Sequence, residues 1–102
     1  MTPKTRIDAA RAIDAAVGQA DELRGGVQVT VDRNGRVNSV VLSDHVLELP
    51  AVELAEHIQK ACARAYNDRL RRVSKILSET AHLFDPATIE RLKAVYARVK
   101  EG

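Results

Sequence analysis

The sequence predicts an α+β fold: an N-terminal helix, a small antiparallel sheet built on a hairpin at 27–42, a long helix at 50–83 and a short C-terminal helix at 86–100. Three observations carry that expectation. From Pro50 to Leu83 there is no Gly and no internal Pro, and the run is rich in Ala, Leu, Glu, Lys and Arg. Those residues lose little side-chain entropy in a helix. Val27-Gln28-Val29-Thr30-Val31-Asp32 alternates apolar and polar with the period of a half-buried strand, and Asn34-Gly35 follows as a hairpin signal. Asp85-Pro86 then supplies a cap with proline at the first helical position.

In chain order, Pro3–Arg24 is Ala-rich, with Ile7, Ala10, Ile13 or Asp14, and Val17 at near-helical spacing. Thr2 is placed to cap a helix whose first residue is Pro3. The pattern weakens at Gly18. Gln19–Arg24 fits a helix end, a loop or an edge strand, and propensity favours helix only to about residue 16. Gly25-Gly26 stops whatever precedes. A two-residue type I′ turn at Asn34-Gly35 sets Arg33 against Arg36, Val31 against Asn38, Val29 against Val40 and Val27 against Leu42. That register gathers apolar pairs on one face, where the core should lie. On the other face Gln28 meets Val41 and Asp32 meets Val37, which leaves Val37 and Val41 either partly exposed or covered by another subunit. Asp44–Leu49 is an acidic connection with room for one helical turn. Pro50 fits the first position of the long helix, with Glu53 and Glu56 near its positively polarised end. Ile89, Leu92, Val95, Tyr96 and Val99 form an apolar stripe on the last helix.

A helix of roughly 30 residues is about 45 Å long, whereas a compact 100-residue domain has a radius of gyration near 13 Å. The long helix should therefore project and needs a partner: its own C-terminal tail, a second copy or a ligand. Ile58, Cys62, Tyr66, Leu70, Val73, Leu77 and Phe84 form its apolar seam. Against the seam stand Lys60, Arg64, Arg69, Arg71, Arg72 and Lys75, relieved only by Asp68. The chain as a whole is nearly neutral at +2, so the charge is local, with an acidic stretch at Asp44–Glu56 just before the basic one. A local basic patch suits a polyanion, and Arg forks suit phosphate. The bland alternative is a solvated face. No aromatic platform accompanies the patch, so binding should be led by the phosphate backbone and weakly selective.

Length predicts a single domain, 1–102, with 85–102 as a helical extension. Aromatics are scarce, so Val, Leu, Ile and Ala must build the core. Cys62 stands alone on the seam and reads as a small buried hydrophobe in a reduced compartment. No apolar run approaches a membrane span, and Met1–Arg6 lacks a secretory apolar block, so a cytoplasmic protein is expected. His45, His57, His82 and Cys62 do not follow zinc-ligand spacings, and Gly25-Gly26 precedes a strand instead of linking a strand to a helix as phosphate loops do. An enzyme is not expected, nor a metal, a cofactor or a small-molecule substrate.

Several local patterns resemble the YbaB/EbfC nucleoid-associated proteins. They are Gly26-Val27-Gln28-Val29-Thr30-Val31-Asp32, Asn34-Gly35-Arg36-Val37, Val40-Val41-Leu42-Ser43-Asp44, Leu49-Pro50 with Glu53-Leu54-Ala55, and the Ala-rich stretch Ala61–Asp68. The resemblance spans about Ile13–Leu77. It implies a helix, a three-stranded antiparallel sheet with its first strand near 16–22, and a second long helix. It also implies a homodimer that binds DNA with little sequence preference, associated with the nucleoid. The chain departs from the family in a shorter first helix, in Glu22-Leu23-Arg24-Gly25 where a Gly/Ser turn is usual, and in the capped helix after Asp85. Some similar actinobacterial members accompany type VII secretion systems, which implies a protein partner as the alternative to DNA. The candidate DNA-binding residues are Lys60, Arg64, Arg69, Arg71, Arg72 and Lys75. The candidate dimer or partner interface is Val37, Val41, Tyr66, Leu70, Val73 and Leu77.

Overall fold

The computed structural model describes residues 2–96, the side chains of 92, 93, 95 and 96 excepted. Its elements run α1 (Arg6–Ala15), β1 (Gly18–Glu22), β2 (Val27–Val31), β3 (Val37–Leu42), α2 (Ala51–Thr80) and α3 (Pro86–Tyr96). Short 3-10 turns occupy Asp44–Glu48 and Ala81–Leu83. This is the α+β order expected, with the undecided segment present as a strand. The expected continuation of the last helix to residue 100, and Val99 with it, lie outside the described residues.

Thr5, not Thr2, caps α1. Its hydroxyl oxygen accepts from the Asp8 amide at 3.1 Å, and Asp8 sits in the first turn where the helix dipole favours a carboxylate. Ala9 is the buried residue of α1, whereas Ile7 is 65 % exposed. The small side chain on that face suits close approach to α2, against which α1 packs. Gly18 marks a still closer approach. A Cβ there would collide with the Ala65 carbonyl oxygen and lie 2.7 Å from the Arg69 amide nitrogen, so β1 crosses the backbone of α2 where only glycine fits.

The sheet is antiparallel with strand order β1-β2-β3. Its central hairpin corrects the expected turn. The Asp32 carboxylate accepts from the amides of Asn34 (2.8 Å) and Arg36 (3.1 Å), which holds a three-residue loop, Arg33–Gly35, in place of a two-residue one. Gly35 takes the left-handed conformation at φ +78°, and its amide donates to the Asp32 carbonyl at 3.0 Å. This is a type I turn followed by a left-handed residue, the usual three-residue hairpin. Val31 consequently pairs with Val37, not Asn38, and Arg33 lies in the loop, not opposite Arg36. The register shifts between Thr30 and Val31, where Asn38 is the extra residue. That bulge restores Thr30–Ser39, Val29–Val40, Gln28–Val41 and Val27–Leu42.

Pro50 occupies the N-cap of α2, one position before the expected one, and the last three residues of the expected helix tighten into the Ala81–Leu83 turn. The molecule measures 52 × 25 × 19 Å with a radius of gyration of 16.2 Å. It is elongated, as a projecting helix requires. The first half of α2 covers β1 and β2, burying Ala61 and Ala65 with Val27, Val29, Val31 and Val46. Cys62 lies half-buried at the margin of this cluster. In the second half Leu70, Val73, Leu77 and Thr80 are buried. There α1 and α3 pack on α2, and Ile89 of α3 is buried. Asp85 caps α3 through Thr88, accepting from its amide at 3.3 Å and its hydroxyl at 2.5 Å.

Candidate nucleic-acid interface

The six basic residues singled out in the sequence divide into three groups in the structure. Arg69 is half-buried and structural: Nε donates to the Ala16 carbonyl at 3.2 Å and Nη2 to the Arg33 carbonyl at 2.6 Å. One side chain thereby ties the end of α1 and the tip of the hairpin to α2. Arg64 and Arg72 are intermediate. Arg64 donates to the Asp21 carbonyl at 2.9 Å and pairs with Glu22, yet its side chain stays 57 % exposed. Arg72 pairs with Asp68 at 3.1 Å, and the same Asp68 oxygen accepts from the Gln19 amide at 2.9 Å. Lys60, Arg71 and Lys75 form the third group. All are exposed; Lys75 stands 4.0 Å from Glu79, and among the described residues Lys60 and Arg71 make no ion pair.

At 100° per residue, Lys60, Arg64, Arg71 and Lys75 fall within an arc of about 60° along roughly 22 Å of helix. The buried Val73 lies on the opposite side of α2. The result is an exposed basic strip on the face of α2 turned away from the packed helices. Arg72 connects it to a shallow polar depression of about 520 Å³ whose lining includes Gln19, Asp21, Gln28, Thr30 and Asp68.

At the upper end of the strip, Glu22 gathers α2 onto β1. Its carboxylate accepts from His57 Nδ1 at 3.2 Å and from Arg64, and these hydrogen bonds, that of His57 foremost, hold it below the usual glutamate value. Its side chain is only 15 % exposed. Nothing in the spacing of residues 22, 57 and 64 announced this cluster, because a strand and a helix 35 residues apart supply its members.

The interface candidates also divide. Val37, Val41 and Tyr66 are 50, 53 and 45 % exposed, but Leu70, Val73 and Leu77 are buried within their own chain, at 5 % exposure or less. The lower half of the seam is therefore closed to a partner. Val40, expected on the core face, is 42 % exposed because α2 lies over β1 and β2 and leaves β3 uncovered. The hairpin tip adds Arg33 and Arg36, both exposed. A Cβ at Gly35 would lie 3.6 Å from the Tyr66 ring, so the tip stands beside that side chain.

The chain matches no family model, no curated protein and no solved structure. Among the described residues, no cluster of three His, Cys, Asp or Glu side chains is placed to hold a metal ion, and no helix is long and apolar enough to cross a membrane.

Proposed function

We propose that the chain is a homodimeric nucleoid-type protein that binds DNA through its phosphates with little sequence selectivity. The observation that carries this reading is the exposed strip Lys60, Arg64, Arg71 and Lys75 on a projecting helix. The resemblance to the YbaB/EbfC proteins gives the same direction. Phosphate contacts release condensed counterions, so four contacts give a log–log salt slope of about −3.6 for one engaged protomer and about −7.2 when both protomers of the dimer contact the duplex. Fluorescence anisotropy of a labelled duplex, titrated at several salt concentrations, measures that slope. Arg71→Glu with Lys75→Glu should weaken binding by at least tenfold while leaving the helical circular dichroism unchanged. No binding at low salt, or binding indifferent to the double reversal, sinks the proposal.

Exposed apolar side chains on β3 favour a protein contact as well. In the adaptor reading that contact is the whole function and DNA has no part. The lower part of the apolar seam of α2 is not free for that contact, since Leu70, Val73 and Leu77 are buried within the chain.

A further inference from the structure

The two edges of the sheet are finished differently. In β2–β3, the Ser43 amide donates to the Gly26 carbonyl at 2.9 Å, which makes the pairs Gln28–Val41 and Thr30–Ser39 the hydrogen-bonded ones. The backbone groups of Val40 and Leu42 therefore point away from β2, toward the open side. Among the described residues, no group outside β2 bonds to residues 37–42. The strand Val37–Leu42 carries no charge and no proline, and it exposes Val40 on one face and Val41 on the other. It has none of the charges that usually guard an edge. Its ends are oppositely charged. Exposed Arg36, and exposed Arg33 with Asp14 3.5 Å from it, lie at the tip before β3, and exposed Asp44 and Glu48 at the turn after it.

We infer that β3 pairs antiparallel with β3 of a second copy, joining two three-stranded sheets into one of six strands. This rests on the homodimer proposed above and names its surface. An isologous contact must be complementary to itself under a two-fold axis. Antiparallel pairing satisfies that condition, because it brings the basic tip of each protomer to the acidic turn of the other. Parallel pairing would set like charges together. With the axis at Val41, Val40 and Leu42 of one strand exchange backbone hydrogen bonds with Leu42 and Val40 of the other. Val41 then faces its own copy in a non-hydrogen-bonded pair, and the bulge at Asn38 lies outside the paired stretch. Both α2 helices fall on one face of the joined sheet. Their basic strips lie along the two outer edges, with the β1 strands about 24 Å apart.

Two full-length variants test this by light scattering and by cross-linking. Val41→Lys places a charge against its own copy and should raise the dimer dissociation constant at least tenfold without changing the circular dichroism. In a Cys62→Ala background, Val41→Cys should oxidise with diamide to a disulfide-linked dimer, since facing residues in such a pair have Cα atoms about 4.5 Å apart. Gln28→Cys, on the central strand, should not. A wild-type dimer that survives Val41→Lys and leaves Val41→Cys uncross-linked overturns the β3 contact but not dimerisation. A wild-type monomer at several hundred micromolar overturns both, while DNA binding is judged separately by its own titration.

Discussion

The first and third strands are both edges, and they differ in who protects them. On β1 the outward groups belong to Gln19 and Asp21. The Gln19 amide donates to Asp68 and the Asp21 carbonyl accepts from Arg64, both on α2. On β3 the outward groups of Val40 and Leu42 have no such partners, and the flanking valines are exposed. The long helix thus serves one edge with side chains and leaves the other for strand pairing. In a sheet of three strands this asymmetry matters, because an unprotected edge directs association. It also recasts some of the basic residues. Arg64 and Arg69 belong partly to the fold, whereas Lys60, Arg71 and Lys75 make no bond to another element among the described residues.

The contrast breaks most sharply at Gly18. Gly18→Val drives a side chain into the Ala65 carbonyl and the Arg69 backbone, which a rigid helix cannot relieve. A destabilisation of about 3 kcal/mol is expected, at the upper end for overpacking. Val41→Lys, on the open edge, should change protomer stability by less than about 0.5 kcal/mol, as exposed substitutions do. Urea denaturation of the two variants under monomeric conditions measures the difference. Equal losses would mean that the edges are not finished as unequally as they stand here.

A smaller effect is expected from Asp68→Ala. It removes the acceptor of the Gln19 amide and the partner of Arg72, and its side chain is 29 % exposed, so water recovers part of the loss. About 1 kcal/mol is expected. The more telling readout is association. With its guard removed, β1 becomes a second open edge, and light scattering should show species larger than those of the wild type at equal concentration. Unchanged association would show that Asp68 contributes stability without guarding the edge.

The sequence made the elements legible because they depend on local pattern. The alternation of Val27, Val29 and Val31, the unbroken run after Pro50 and the Asp85-Pro86 restart each act within a few residues. The turn type was not legible, since Asn34-Gly35 suits either loop length and the Asp32 carboxylate decides by collecting two amides. The cap of α1 is ambiguous in sequence for a similar reason: Thr2-Pro3 and Thr5 both satisfy the local rule, and the hydroxyl geometry selects Thr5. The candidate site was legible as a basic run but not as a partitioned one. Which arginines are free of the fold depends on carbonyls 36 to 53 residues away. Likewise the seam on α2 was visible, but not that α1 and α3 would close its lower half.

The smallest expected effect concerns how firmly the guarded edge is held as pH changes. Glu22 ends β1 and receives hydrogen bonds from His57 and Arg64, which lower its pKa from an ordinary value of 4.5. A carboxyl whose folded-state pKa is depressed binds fewer protons when folded than when unfolded, so its contribution is complete above the unfolded value. It is lost as pH falls from about 4.5 through the lower folded-state value. Asp32 and Asp85 are lowered too, by backbone amides and by Thr88, and they act in the same sense. The difference between wild type and Glu22→Gln cancels their share. That difference should favour the wild type at neutral pH, hold down to about 4.5, and close as the solution is acidified further. Charge on β3 takes no part, because that strand contains no titratable residue. Denaturant titrations from pH 3 to 7 read the gap directly, and a gap that stayed constant through that window would remove Glu22 from the forces holding β1 to α2.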